Sequence, residues 1–234
     1  MPVSDNRIKE NEFSSLNEAV TGQSHDHDNL YARVLDVSDH LQKLASDPRR
    51  VALLVIDVQE VFCSEKYRGN VKTEEMATEI GRIAPAFRDA GIPVYSVYFD
   101  PKALLYTRIL RDEGGYYHFR LDQDKDIEVR KTTTNAFHSS DLADKLKNNG
   151  HTDLLFCGFN LTACVSETMK SAFDHVRSVT LLKDLSCNGG LTRTPEKHKE
   201  DYLQTLAMLE KSGGYACDSD EVLGALTLTS PKPS

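Results

Sequence analysis

The chain has 234 residues, of which 39% are hydrophobic and 27% charged, and a formal net charge of -8, which suits one soluble globular domain with a sizeable core plus some additional sequence. The acidic balance, with no run of lysines or arginines, excludes nucleic acid and anionic membrane as principal partners and leaves small molecules or proteins. Cys63, Cys157, Cys164, Cys187 and Cys217 are widely spaced and form no CxxC pair, so neither a disulfide framework nor a structural zinc site is expected.

Residues 1–29 are polar and acidic and show neither helix nor strand period, which predicts a disordered tail. His25 and His27, beside Asp26 and Asp28, are expected to be solvated there rather than to hold a metal. The opening stretch, MPVSDNRIKENEF, has no apolar segment of a secretory signal, and no apolar run reaches the ~18 residues that cross a bilayer. A cytoplasmic protein is therefore expected. Over 30–47, Leu30, Val34, Val37, Leu41 and Leu44 recur at gaps of three and four and predict one amphipathic helix packed on the domain.

From residue 50 to about 228 apolar runs alternate with helical patterns. The runs are VALLVIDV (51–58), IPVYSVYF (92–99), IEVRK (127–131), DLLFCGF (153–159), SVTLLKD (178–184) and a weaker YACD (215–218). Helical patterns fill 72–91, 139–150, 162–175 and 194–213. Continuous apolar strands separated by helices predict a doubly wound α/β domain, a mostly parallel six-stranded sheet with helices on both faces. Gly91, Gly150 and Gly213 sit where left-handed helix terminators belong, and Thr194-Pro195 supplies an N-cap followed by proline at the first helical position. Residues 101–125 fit neither period and predict a long loop near the site; residues 229–234 predict a flexible end.

In an open parallel sheet, ligands gather at the carboxyl ends of the strands. Asp57 closes the first strand, Lys131 closes the third, and Cys164 lies just after the fourth, at an expected helix start whose partial positive charge favours thiolate over thiol. A carboxylate accepts a thiol proton, an ammonium holds carboxylate and thiolate together, and a thiolate attacks a carbonyl. Cys157 and Cys187, in or beside apolar runs, are expected to be inert.

The DVQEVFC from Asp57, the KTTTNAFHSSDL from Lys131 and the GFNLTACV around Cys164 together resemble the isochorismatase-like cysteine hydrolases, the group that includes nicotinamidases, N-carbamoylsarcosine amidohydrolase and ureidoacrylate hydrolases. The resemblance covers roughly residues 50–226. It implies the Rossmann-like three-layer fold and a catalytic triad of Asp57, Lys131 and Cys164 acting through a covalent acyl-enzyme. It also implies a cis peptide between Phe159 and Asn160, with the N–H groups of Asn160 and Cys164 forming an oxyanion hole; Gly158 is expected to relieve crowding beside them. Gln59, Phe62, Phe137, Asp100 and His118 are the expected pocket residues.

Nicotinamidases of this group hold a metal through an Asp-x-His element with a further histidine. Here Asp100 is followed by Lys102 where the ligand histidine would stand, leaving His118 in the long loop, so no metal and no other cofactor is expected. The retained cysteine favours an amide, carbamoyl or ester-type small molecule as substrate, and a homo-oligomer is expected. Three alternatives stay open: a binding or regulatory protein that engages a protein partner through the N-terminal extension and the 101–125 loop, a nicotinamidase, and a thiol redox sensor.

Overall fold

The computed structural model describes residues 31–65, 71–100, 125–189 and 194–229. The chain divides into Met1–Ala32 and Arg33–Ser234, and every described strand belongs to the second unit. The tail of residues 1–29, most of the 101–125 loop and the last residues after Thr229 lie outside the described residues.

The first two elements are the helices α1 (Ala32–Leu35) and α2 (Ser38–Ser46). The single helix expected over 30–47 is thus broken at Asp36–Val37, where Val37 leaves helical geometry with φ -102° and ψ 0°. Aspartate and a β-branched valine are poor interior formers, and Ser38-Asp39 favours a new start. Much of the stripe is still buried, with Val34, Val37 and Leu44 at most 6% exposed. Arg33 reaches the end of a later helix, donating to Leu209 O, Glu210 O and Gly214 O and pairing with the Glu210 carboxylate.

The strands are β1 (Val51–Ile56), β2 (Val94–Phe99), β3 (Ile127–Lys131), β4 (Asp153–Gly158), β5 (Ser178–Ser186) and β6 (Tyr215–Cys217). They form one parallel sheet in the order β3-β2-β1-β4-β5-β6, with helices on both faces. β1, β2 and β4 are buried at every position, as parallel strands covered on two faces must be, whereas β3 alternates like an edge. The order reverses between β1 and β4, which opens a crevice at their carboxyl ends.

The remaining helices are α3 (Glu60–Cys63), α4 (Val71–Asp89), α5 (Ala136–Ser139), α6 (Leu142–Asn149), α7 (Ser166–Ala172), α8 (Pro195–Ser212) and α9 (Ser219–Thr229). The helix expected over 139–150 is α6, and the short α5 precedes it because two polar side chains cap separately: Asn135 Oδ1 accepts from Phe137 N, and Ser140 Oγ accepts from Leu142 N. The expected terminators hold, since Gly91, Gly150 and Gly213 all have φ between 75° and 80°, and Thr194 caps α8 through Lys197 N. The C-terminal helix is fixed by Asp184, which accepts from the N–H and Oγ of Ser219. No described helix is long and apolar enough to cross a membrane.

Candidate active site

The three chemistry-bearing residues meet at the carboxyl ends of the strands. Asp57 follows β1 with φ 53°, a left-handed conformation that costs a non-glycine residue of order 1 kcal/mol and turns its side chain back over the sheet. Its backbone is held on both sides, the N–H donating to Val97 O and the carbonyl accepting from Gln59 N, each at 2.8 Å. Lys131 ends β3, and its ammonium lies 2.8 Å from Asp57 Oδ2 with both side chains at most 1% exposed. The ammonium also donates to Thr133 O at 3.2 Å and sits 4.1 Å over the Phe99 ring. Lysine is stable in such burial only with partners of this kind.

The Asp57 carboxylate is left short of donors. Among the described residues neither oxygen has a hydrogen bond in good alignment, although the Lys131 ammonium, the Cys164 thiol and the Phe99 N–H all lie near enough to steady its charge. Burial raises its pKa above the ordinary carboxylate value, against the opposing pull of Lys131. The Cys164 thiol faces this pair and is 5% exposed. Burial, and then the Asp57 charge, push its pKa up to about 12, with Lys131 pulling the other way. The direction of this shift favours the thiol, opposite to the effect expected of a helix start. The cysteine lies in a turn of π-helix, Leu161–Val165, ahead of a helix of seven residues.

The chain reaches this turn by folding back over β1. Gly158 has φ +112°, and a Cβ there would fall 2.1 Å from Ile56 O, so glycine is required by both backbone and space. Phe159 N donates to the same Ile56 carbonyl at 2.8 Å. The Phe159–Asn160 peptide is cis, as the sequence resemblance implies. Asn160 O accepts from Ala163 N and Val165 N, passing over the N–H of Cys164, and the Asn160 N–H has no acceptor among the described residues.

The expected pocket residues fare differently. Gln59 is 1% exposed and its amide binds β2, donating to Phe99 O at 3.2 Å and accepting from Phe99 N at 2.8 Å, which holds the strand end beside the triad. Phe62 is buried on α3. Phe137 stacks on His175, beyond the far end of α7, with centroids 4.6 Å apart. Asp100 follows β2, its N–H donating to Lys131 O at 2.8 Å. His118 and Lys102 lie outside the described residues, as do His25 and His27. Among the described residues no three His, Cys, Asp or Glu side chains are grouped to hold a metal ion.

A family model of the isochorismatase domain matches residues 51–221. The chain belongs to the isochorismatase family. It is 25% identical over 167 residues to the uncharacterized isochorismatase family protein YddQ of Bacillus subtilis, covering 70% of this chain and 93% of that one. Its fold is similar to a cysteine hydrolase from Pseudomonas syringae pv. phaseolicola (TM-score 0.61, 20% identical, 78% of this chain and 95% of that one). It is similar as well to the pyrazinamidase of Pyrococcus horikoshii solved with zinc (TM-score 0.59, 18% identical, 72% and 99%). The parallel six-stranded architecture of this isochorismatase-family protein is the fold of those structures.

Sequence reasoning missed several residues of this isochorismatase-family site. Phe99, beneath the ammonium, is the register partner of Lys131, and its place at the end of β2 was the available signal. Asn188 and Asp201, which hold the turn before Cys164, had none beyond a polar residue soon after a strand end. Cys187, expected in or beside an apolar run, is part-exposed and follows β5.

Proposed function

We propose that the protein is a metal-independent cysteine hydrolase that cleaves a small amide, carbamoyl or ester-type substrate through a covalent acyl-enzyme. The observation that carries this reading is the under-satisfied Asp57 carboxylate, 2.8 Å from the Lys131 ammonium and facing the Cys164 thiol. Burial raises the proton affinity of Asp57 above that of an ordinary carboxylate, which makes it a stronger base for the thiol proton as the sulfur attacks. In the proposed cycle the sulfur attacks the carbonyl carbon while its proton passes to Asp57. The N–H groups of Asn160 and Cys164 receive the developing oxyanion. Collapse expels the amine or alcohol, which takes the proton from Asp57. Water then attacks the thioester, giving its proton to Asp57, and the acid leaves with the thiol restored.

Lys131 holds the carboxylate in place and favours its ionised form before each proton transfer, and its burial keeps water from competing. Metal independence rests on Lys102, a cation where a divalent ion would need a ligand. A panel of small amides and activated esters, incubated with protein and read by mass spectrometry, tests the reading. An acyl adduct on Cys164, absent in Cys164→Ala, is the expected result. Turnover that persists in Cys164→Ala would sink it.

A further inference from the structure

A strap leaving the end of β5, residues 187–189, grips the three residues that lead into the Cys164 turn. Cys187 O accepts from Leu161 N at 3.0 Å, and Asn188 Oδ1 accepts from the N–H and the Oγ1 of Thr162, both at 3.1 Å. Gly189 N donates to Asn160 Oδ1 at 2.7 Å. Asn188 is 1% exposed, and its Nδ2 donates to Asp201 Oδ2 on α8 at 2.9 Å. Asp201 is itself 3% exposed, with its other oxygen 3.5 Å from Lys197 Nζ.

The two ends of an amide are not interchangeable. An ionised carboxylate only accepts, so Asp201 fixes the Asn188 NH2 toward α8 and thereby its carbonyl toward Thr162. Asn188 and Cys187 take the Thr162 and Leu161 N–H groups at the head of the turn, and Asn160 O accepts from Ala163 N and Val165 N, so the turn is wound past Cys164 instead of through it. We infer that Asn188, oriented by Asp201, is a positioning residue that holds the Asn160 and Cys164 N–H groups toward the substrate oxygen. This rests on the cysteine-hydrolase reading above. Neither residue touches the reacting atoms; both act through the turn, where a displacement of about 1 Å costs roughly 100-fold in rate.

The pairing is reversible on paper, and that supplies the test. Asn188→Asp alone sets two buried carboxylates against each other. Asp201→Asn alone removes the group that orients the amide. The double variant restores the pattern, since the new carboxylate at 188 accepts from Thr162 and from the new amide at 201. The full-length protein is treated with p-nitrophenyl acetate, and acetylation of Cys164 is followed by mass spectrometry. Alkylation of the same thiol by iodoacetamide, which forms no oxyanion, is the control.

Each single variant is expected to acetylate Cys164 roughly 10- to 100-fold more slowly, with alkylation changed by less than about twofold. The double variant returns to within about threefold of wild type. Single variants that acetylate at the wild-type rate, or lose alkylation in parallel, overturn the inference. If the single variants fail to fold, the folded double variant decides: recovery supports the pairing, and a rate still depressed overturns it. A Cys164→Ala protein that releases p-nitrophenol at the wild-type rate overturns the nucleophile reading and this inference with it. Loss in Cys164→Ala beside wild-type rates in Asn188→Asp overturns this inference alone.

Discussion

Two buried aspartates on adjacent strands receive opposite treatment. Asp153 opens β4 at the amino end of the sheet and takes four donors: Arg177 Nε and Nη2 at 3.0 and 2.6 Å, Ser178 Oγ at 2.6 Å and Thr152 Oγ1 at 3.1 Å. Asp57 follows β1 at the carboxyl end and has one ammonium at 2.8 Å, with the Cys164 thiol and the Phe99 N–H nearby but no donor in good alignment among the described residues. Both are at most 1% exposed. Burial alone therefore does not make an acid reactive; a carboxylate with every lone pair occupied is a fixed structural charge, and one left short keeps its appetite for a proton.

Exchanging each acid for its amide is the most direct way to break this comparison. Asp57→Asn is expected to cut turnover roughly 10²- to 10⁴-fold, since the amide cannot accept the thiol proton. It is also expected to cost about 3–5 kcal/mol, because Lys131 is left buried without its counter-charge. Asp153→Asn is expected to cost about 3 kcal/mol in urea unfolding while kcat per folded molecule stays within about twofold of wild type. A folded Asp153→Asn protein with lost turnover, or an Asp57→Asn protein with retained turnover, would end the distinction.

A pH–rate profile sharpens it. Asp57 works only when deprotonated, and burial holds its pKa above the ordinary 3.8, so kcat/KM is expected to rise with pH along a limb that lies above that value. Lys131 opposes the shift. Lys131→Met leaves burial unopposed, so in the folded variant the limb is expected to move up by about one pH unit or more. A limb that stays put would show that Lys131 does not tune the base.

The smallest effect concerns a neighbour of the saturated acid. His40, 5% exposed, stacks on Tyr215 at 3.7 Å and hydrogen-bonds Thr180 Oγ1 at 2.7 Å. Burial lowers its pKa from 6.5 to about 4, with Asp153 raising it and Lys43 and Arg177 lowering it. The unfolded chain takes up a proton below 6.5 and the folded one only near 4, so this stability is full above pH 6.5 and lost as pH falls toward 4. His40→Gln is expected to flatten the drop between pH 7 and 4.5 by about 2 kcal/mol, read by denaturant unfolding at both pH values. An unchanged drop would show that His40 does not carry it.

Much of this architecture was legible because it is local. Period and punctuation located all six strands, the glycine terminators and the Thr194 cap. The three strand-end residues followed from where strands end. What escaped depends on partners distant in sequence. The break at Asp36–Val37 is set by a few residues within a stripe whose period is unbroken. Gln59 reads as a site residue by position, and only its bonds to Phe99 show that its amide is already used. Asn188 and Asp201 find Thr162 through tertiary folding, and no spacing rule anticipates that. The burial of the Cys164 turn, which raises the pKa of its thiol, is likewise set by tertiary packing.

Lys131 is carried by an edge. Among the described residues β3 pairs with β2 alone, while Asp57 follows a central strand and Cys164 the strand beside it. Strand edges open by fraying, at far lower free energy than the centre of a sheet, whose amides exchange only when the whole domain unfolds. Each such opening takes the ammonium from a carboxylate that stays in place. Heat inactivation should then be a two-stage event, with catalysis lost reversibly while the sheet's centre still keeps its amide protons, and the working temperature of the enzyme set by five residues rather than by the stability of the fold.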